Sequence, residues 1–455
     1  MRKSNRHSLT PPGRDPLKVQ FPFSQIMNRF LNLTTTGCCA LAIMLLLGIQ
    51  QRSLAKEPLA YRAELTTAST GFDGKMCWIH ARAGAIPPRA RGNPSETPIV
   101  VMTLQKLQLD RSDVFYGLCD LRTDDLGKTW VGPTEHATLL RRKPREGVEV
   151  VPCDFWPAWH AQTGKLLGTG ATFWYDSLRN NHVPDPPSET PYSVYDPVKR
   201  SWSEWKTLKM PDEPKFKFSR AGCTQRFDLP NGDILLPLYF WQPGAKTEKN
   251  ISTICRCRFD GETLSYVEHG NEMTLDFGRG LAEPSMVQFG GRFFLTLRND
   301  QRGYVTTSQD GMHFEPIRPW KFDDDAELGS YNTQQHWVVH SEGLYLVYTR
   351  RGADNDHVFR HRAPLFMARV DPERLTVLRS TERVLVPQRG AALGNFGVTI
   401  VSPDETWVVV TEVMHPATAV KHGSDNSVYV VKLHWNQANA LALEQKSPTP
   451  PGPTP

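Results

Sequence analysis

The segment TDDLGKTW at residues 123–130 constrains the fold of this chain more than any other feature. It has the pattern Ser/Thr-x-Asp-x-Gly-x-Thr-Trp, and a looser copy, SQDGMHF, follows at residues 308–314. In such a segment the Asp side chain accepts hydrogen bonds from neighbouring backbone N–H groups, and the glycine permits a positive φ. The aromatic ring at its end packs between sheets. The pattern therefore predicts hairpin turns in a repeated β-sheet unit rather than a catalytic centre.

The rest of the chain shows the same β-rich character. Short runs such as GDILLPLYF, RFFLTLR and TWVVVTEV alternate with turn residues, and no long stretch has a 3.6-residue period. Similar strand–turn–strand segments recur at intervals of 77, 64, 60, 53 and 60 residues, anchored at Arg82, Trp159, Cys223, Glu283, His336 and Phe396. Six units of this size predict an all-β fold, a six-bladed β-propeller of four-stranded antiparallel blades. Either the last strand, near 427–435, or the first, near 61–67, would close the ring.

Three segments are expected from composition. Residues 1–55 read as a leader, because an apolar run of 11 residues at 39–49 is followed by Ser53-Leu-Ala, a small-x-small cleavage signal. Met27 would begin a signal peptide of ordinary length. Residues 56–435 are assigned to the propeller. The Pro-rich tail at 436–455 lacks the apolar residues needed for a core and is expected to be disordered.

Charge follows the same division. Residues 1–55 contain seven Lys/Arg and one Asp, so the remainder carries 46 of the 53 basic and 47 of the 48 acidic residues. The mature chain therefore has no overall charge that favours nucleic acid, and we expect no such partner. We expect export to the periplasm or the extracellular space, with membrane attachment through residues 39–49 only if the leader is not cleaved. Six cysteines remain outside the leader, at spacings that are not a zinc signature.

In a propeller the inner strands surround the axis, and polar residues near their starts form a funnel. Glu283 begins the fourth unit, and Arg298 ends the strand that follows it. We predict catalytic roles for a first group: Glu283, Tyr331, Asp110, Asp113 and His336. We predict substrate-binding roles for a second group: Arg82, His160, Arg220, Arg298, Gln335, His357, Arg360 and Asn395.

With these residues and both turn motifs, the chain resembles the sialidase-like propellers, also called the Asp-box or BNR-repeat family, and in particular exported bacterial sialidase-like proteins. In that family a Glu at the start of this blade polarises a Tyr nucleophile, and an Arg at the end of the next strand binds the substrate carboxylate. The resemblance implies these roles for Glu283 and Arg298. Tyr331 lies in a similar strand but in unit five; the family's Tyr belongs to the sixth blade, where this chain has Asn395 and Phe396.

Three functions remain open. The first is an exported sialidase-like exo-glycoside hydrolase, in which Glu283 activates Tyr331 or a water and Asp110 or Asp113 is the acid/base. Arginines 82, 220 and 298 would then hold an acidic sugar. The second is a propeller polysaccharide lyase acting on uronic-acid glycans, with base and acid drawn from His160, Tyr331, His336 and His357. The third is a non-catalytic propeller that binds glycan or protein.

No organic cofactor is indicated, and we expect none. His357 and His361 are four residues apart, a spacing that can place two metal ligands on one helix face, but the segment does not read as a helix. We therefore predict no metal site.

Overall fold

The computed structural model describes residues 58–111, 113–184, 186–241 and 249–444. Their strands form six antiparallel sheets arranged as the predicted six-bladed β-propeller. The predicted leader, residues 1–55, lies outside the described residues, as do the first two residues of the predicted propeller, 56 and 57.

The strands are numbered along the chain. They are β1 (Tyr61–Ser69), β2 (Met76–Ile86), β3 (Ile99–Gln108), β4 (Val114–Thr123), β5 (Val131–Glu135), β6 (Arg142–Arg145), β7 (Val148–His160), β8 (Lys165–Asp176), β9 (Pro191–Asp196), β10 (Ser201–Trp202), β11 (Lys206–Thr207), β12 (Phe227–Asp228), β13 (Asp233–Phe240), β14 (Ile251–Phe259), β15 (Leu264–His269), β16 (Ala282–Phe289), β17 (Arg292–Arg298), β18 (Tyr304–Ser308), β19 (Arg318–Pro319), β20 (His336–His340), β21 (Gly343–Tyr348), β22 (Leu365–Asp371), β23 (Thr376–Val377), β24 (Arg383–Val386), β25 (Phe396–Ser402), β26 (Glu405–Thr411) and β27 (Val428–Trp435). Helical segments are short: 3₁₀ turns at Ala137–Leu139, Pro214–Lys217, Phe359–His361, Arg379–Thr381 and Ala417–His422, and helix α1 at Leu441–Glu444.

Each blade is a meander that starts at the axis. Blade one is β2–β5, blade three β12–β15 and blade four β16–β19. Blade two is β7–β10 with β6 beside β7 and β11 beside β9, and blade five is β20–β23 with β24 beside β22. The inner strands are β2, β7, β12, β16, β20 and β25. All of them run in one direction along the axis, so their starts meet at one end of the molecule.

The first strand closes the ring. Blade six is β25–β27, and β1 pairs with β27 as its outermost strand, from Tyr61 opposite Trp435 to Ser69 opposite Val428. The two chain ends are therefore joined by a ladder of backbone hydrogen bonds, which explains why both predicted closing strands belong to one sheet.

The core lies between the blades. Strand β13 is buried at every position, because its two faces pack against different neighbouring sheets. Between blades four and five, Trp337 packs against Phe294 and Trp320 at ring-centre distances of 6.1 and 5.7 Å. Burying one such side chain stabilises a fold by roughly 2–3 kcal/mol, so these aromatic contacts hold neighbouring blades together.

The two turn motifs lie between the third and fourth strands of blades one and four. Asp125 accepts hydrogen bonds from the backbone N–H and hydroxyl of Thr129, at 2.9 and 2.6 Å. Asp310 accepts from the N–H groups of Met312 and His313, both at 2.8 Å. Because strands alternate in direction, these turns lie at the end of the molecule opposite the starts of the inner strands.

The folded part extends beyond the predicted boundary at Trp435. Asn439 is fully buried. Its backbone N–H donates to the carbonyl of Pro403, and its side-chain amide donates to the carbonyl of Val339 at 3.1 Å. The start of the predicted tail is therefore packed on the propeller through α1. Within the described ranges, no helix is long and apolar enough to cross a membrane.

Candidate functional site

A β-bulge recurs near the starts of the inner strands. In β2, β7 and β16 an extra residue interrupts the pairing with the second strand. These bulges hold His80, Asp154 and Glu283 at φ values of 62°, 51° and 47°. Cys223 before β12 and Asn332 before β20 have φ values of 60° and 49°. Left-handed backbone costs a residue with a side chain about 1–2 kcal/mol, and such residues concentrate at functional sites. We call these five residues the axial ring.

Three members of the axial ring meet at one carboxylate. Asp154 Oδ1 lies 2.9 Å from His80 Nε2 and accepts from the Cys223 thiol at 2.8 Å. Burial alone would raise the pKa of Asp154, but the charge and hydrogen bond of His80, with the charge of Arg82, hold that pKa well below its usual range. Asp154 therefore remains an anion that joins blades one, two and three.

The other side of the ring is cationic. Arg298 Nη1 forms an ion pair with Glu283, and its Nη2 donates to Asn332 at 2.8 Å. Arg362, on the loop before β22, donates to the backbone carbonyl of Asn332. Burial, together with the charges of Arg298 and Arg360, lowers the pKa of Arg362 to about 9, so it stays protonated at neutral pH. Two guanidinium groups thus act on the Glu283 carboxylate, and that of Arg360 lies near both of them, an arrangement that favours an anionic ligand.

Asp113 and Tyr331 lie at the same end. The negative charge of Asp113 opposes the lowering of the pKa of Arg360 and Arg362, and its backbone carbonyl accepts from the Tyr175 hydroxyl at 2.8 Å. The Tyr331 hydroxyl lies 2.5 Å from His361 Nδ1. Tyr331 is therefore hydrogen-bonded to a histidine, whereas Glu283 binds Arg298.

A second, closed layer lies beneath the ring. Arg82 is fully buried and donates to Gln334 at 3.4 Å, which connects blades one and five across the axis. His336 lies 2.8 Å from Ser285 Oγ and packs edge-on against Trp156. Burial, with a further contribution from Arg82, lowers the pKa of His336 well below its usual value, so it is neutral. Arg82 and His336 therefore support the ring from within the fold rather than line an open surface.

The remaining predicted residues are dispersed. His160 binds Thr163 and the carbonyl of Gly232 at the far end of β7, and Gln335 is buried between blades four and five, where it accepts from Thr296 at 3.2 Å. His357 contacts Gln388 at 3.0 Å, Asp110 accepts from Gln108 at 2.7 Å, and Asn395 accepts from Gln334 at 3.3 Å. The structure brings together Glu283, Arg298, Arg360 and Asp113. Tyr331 adjoins this group, because it precedes Asn332 and its hydroxyl contacts His361.

Sequence reasoning assigned no role to Arg362. It belongs to the run FRHR at residues 359–362, which has the composition of a solvated loop. The φ of 55° at Arg360 and 52° at His361 makes this loop turn back toward Asn332. The basic run was therefore the sequence feature that could have indicated Arg362 as a site residue. The direction in which the loop turns depends on backbone geometry, which composition does not reveal.

Several buried polar atoms at this end have no hydrogen-bond partner among the described residues. They are Glu283 Oε2 and the Nε atoms of Arg220, Arg298 and Arg362. Since an unpaired buried polar group is costly, these atoms are suited to binding a polar ligand. In the described ranges, no group of three or more His, Cys, Asp or Glu side chains is arranged to hold a metal ion.

A separate cavity of about 670 Å³ lies along the axis beyond the second layer. It is lined by the later parts of the inner strands, including Trp159, Val287 and Val398, and by Leu441 of α1. The charged residues of the axial ring are absent from its lining, so the cavity and the candidate site are at opposite ends of the axis.

Solved structures of sialidases share this fold. The chain aligns with Trypanosoma rangeli sialidase in complex with sialic acid at a TM-score of 0.55 and 13% identity, over 83% of this chain and 59% of that one. For the NanB sialidase of Streptococcus pneumoniae the values are 0.50 and 10%, over 81% and 70%. A protein of unknown function from Dyadobacter fermentans DSM 18053 aligns at 0.55 and 14%, over 82% and 99%.

No protein-family model and no curated protein matches the sequence. At such low identities the likeness shows the fold alone: the chain has the six-bladed propeller found in sialidases. It spans about 59% of the T. rangeli enzyme.

Proposed function

We propose that this protein is an exported, sialidase-like glycoside hydrolase that acts on an acidic sugar. The observation that carries the proposal is the ion pair between Glu283 and Arg298, with Arg360 and Arg362 beside it. These guanidinium groups would bind the sugar carboxylate, because planar N–H donors match carboxylate geometry. Because these guanidinium groups carry more positive charge than Glu283 carries negative charge, the site would favour an anionic ligand.

The chemistry would be divided among three groups. Asp113 would donate a proton to the leaving-group oxygen and later accept one from water, the role of the acid/base in glycoside hydrolysis. Tyr331 would be the nucleophile, as Tyr is in sialidases, with His361 accepting its proton. Glu283 would hold Arg298 in place for the substrate.

The test is hydrolysis of a panel of sialylated conjugates and uronic-acid polysaccharides by the chain from Lys56. We expect release of an acidic monosaccharide, reduced by about 100-fold or more in Glu283→Gln because the Arg298 guanidinium loses its partner. Glu382→Gln is a matched control, since Glu382 forms a similarly buried pair with Arg350 at 2.7 Å. Equal losses in both variants, or no release from any glycan, would refute the hydrolase proposal.

A polysaccharide lyase is the second candidate, favoured by the hydrogen bond between Tyr331 and His361. A lyase removes the proton beside the uronate carboxyl group and breaks the C–O bond to the leaving sugar, which leaves an unsaturated uronate. His361 and Tyr331 could supply the base and acid without a second carboxylate. Ultraviolet absorbance of an unsaturated uronate, without released monosaccharide and lost in Tyr331→Phe, would select the lyase.

A further inference from the structure

Arg220 lies apart from the arginines described above. It precedes β12 in blade three, and its guanidinium lies over the rings of Phe173, Tyr239 and Trp241, at 5.8, 5.0 and 5.1 Å. Trp241 is in turn stacked on Phe218, with ring centres 4.7 Å apart. The guanidinium is thus held in one position by aromatic faces on blades two and three.

This arginine has no anionic partner among the described residues. No carboxylate there lies within ion-pair distance of its guanidinium, and its Nε is buried without a hydrogen-bond partner. Arg298, Arg82 and Arg362 each pair with a carboxylate or donate to a carbonyl oxygen. A partly buried cation with an unpaired buried Nε is stabilised when an anion binds it.

Two carboxylates of the axial ring lie near Arg220. Asp154 and then Glu283 act electrostatically on Arg220, and Glu283 also acts on Arg362, on which Arg298 and Arg360 are the strongest cations. Along the ring of blades, Arg220 and its aromatic partners are on blades two and three, and the arginine cluster is on blades four and five. Arg220 therefore belongs to different blades from the arginine cluster.

We infer that Arg220 with Phe173, Tyr239 and Trp241 forms a second anion subsite, and that the ligand is an oligosaccharide with carboxylates on neighbouring sugar units. The inference rests on the proposed function in taking the funnel as a glycan site. The first carboxylate binds Arg298, Arg360 and Arg362. The second binds Arg220, which is partly exposed beside the partly exposed Trp241.

The experiment measures binding of matched short and long ligands by calorimetry. The probes are galacturonate against trigalacturonate, and sialic acid against its α2,8-linked dimer. For one of these pairs the wild-type chain should bind the longer ligand at least about tenfold more tightly, because a second charge-assisted contact is added. Arg220→Met should remove that difference, so that the variant binds the longer ligand no more tightly than the monosaccharide.

Two further variants keep the result interpretable. Arg258→Met removes an exposed arginine, 70% accessible, far from the funnel, and should change neither affinity. If Arg220→Met fails to fold by circular dichroism, Trp241→Ala replaces it, since it removes one of the aromatic rings that hold the Arg220 guanidinium.

Three outcomes would overturn the inference: no advantage of the longer ligand in either pair, equal loss for both lengths in Arg220→Met, or no binding of any probe. The proposed hydrolase is tested separately by product release. Tight binding of the longer ligand without cleavage would leave the subsite standing and refute the hydrolase. Cleavage without tighter binding of the longer ligand would support the hydrolase and refute the subsite.

Discussion

At the scale of single residues, the candidate site depends on side chains held in an unfavourable backbone conformation. Asp154 shows what this strain achieves, because its φ of 51° places one carboxylate oxygen within reach of both His80 and Cys223. Such a contact between three blades cannot be made from a regular strand, whose side chains alternate between the two faces of its own sheet.

Asp154 predicts a specific dependence of stability on pH. The pKa of its carboxyl is lowered in the folded protein from about 3.9 in an unfolded chain, so its contribution is complete above that value and is lost as the pH falls through the folded pKa. Asp154→Asn should therefore lower the melting temperature at pH 7, and the difference from wild type should shrink between about pH 5 and pH 2. Thermal denaturation across this range measures it.

The exposed Asp212 supplies the control, since Asp212→Asn should have little effect at any pH. A difference between Asp154→Asn and wild type that stays constant down to pH 2 would show that the Asp154 charge does not stabilise the fold.

At the scale of elements, the turns at residues 123–130 and 308–314 stabilise the outer hairpins of blades one and four. In each turn one Asp side chain satisfies backbone N–H groups that the tight bend cannot pair otherwise. Burial is the largest single effect on Asp310 and raises its pKa, but the hydrogen bonds of the turn together lower that pKa below the usual range. Both turns therefore act as local supports at the end of the molecule opposite the axial ring.

Asp125→Ala and Asp310→Ala should each destabilise the protein by about 1–2 kcal/mol, the cost of losing two or more hydrogen bonds to the turn. Ligand affinity and any enzymatic activity should be unchanged, because the turns are distant from the site. Urea denaturation together with the assays above tests both statements. A loss of activity without a loss of stability would connect these turns to the site.

At the scale of the whole molecule, the six blades are held together by apolar packing between neighbouring sheets and by the pairing of β1 with β27. The six cysteines of the described structure, at 77, 119, 153, 223, 255 and 257, are all buried free thiols. Burial raises the pKa of Cys77 and Cys257 to about 12, so these thiols are protonated and unreactive at neutral pH. The fold does not depend on disulfide bonds even though export would permit them.

The chain from Lys56 should therefore melt at the same temperature with and without a reducing agent. A thiol reagent should label none of the six cysteines in the native state and all six in guanidinium chloride. Mass spectrometry counts the labels. A pair that stays unlabelled after unfolding without reductant would reveal a disulfide and contradict this prediction.

The fold could be predicted because its signals are local and repeated. Strand β17 coincides with the run RFFLTLR at residues 292–298, which the sequence indicates as a strand because turn residues mark both of its ends. The contact between Glu283 and Arg298 follows from the same register, because Ala282 pairs with Arg298 across β16 and β17.

The site was less predictable because depth along the axis is not encoded in any local pattern. His336 begins an inner strand and Arg82 follows the bulge in β2, yet both lie one layer below the axial ring, where crossing contacts from other blades enclose them. Arg362 reaches the ring only because two residues before it adopt left-handed φ. These placements depend on bulges and loop directions, which a single sequence does not specify.

The closure of blade six also decides how the molecule would sit on anything attached to it. Strand β27 ends, and β1 begins, at the end of the axis opposite the funnel, where Tyr61 pairs with Trp435. Ala60 and Asn436, just outside these two strands, hydrogen-bond to each other at that face. A tether, fusion partner or immobilising tag attached next to either strand would therefore hold the propeller from behind, with the end of the axis that carries the arginines facing outward.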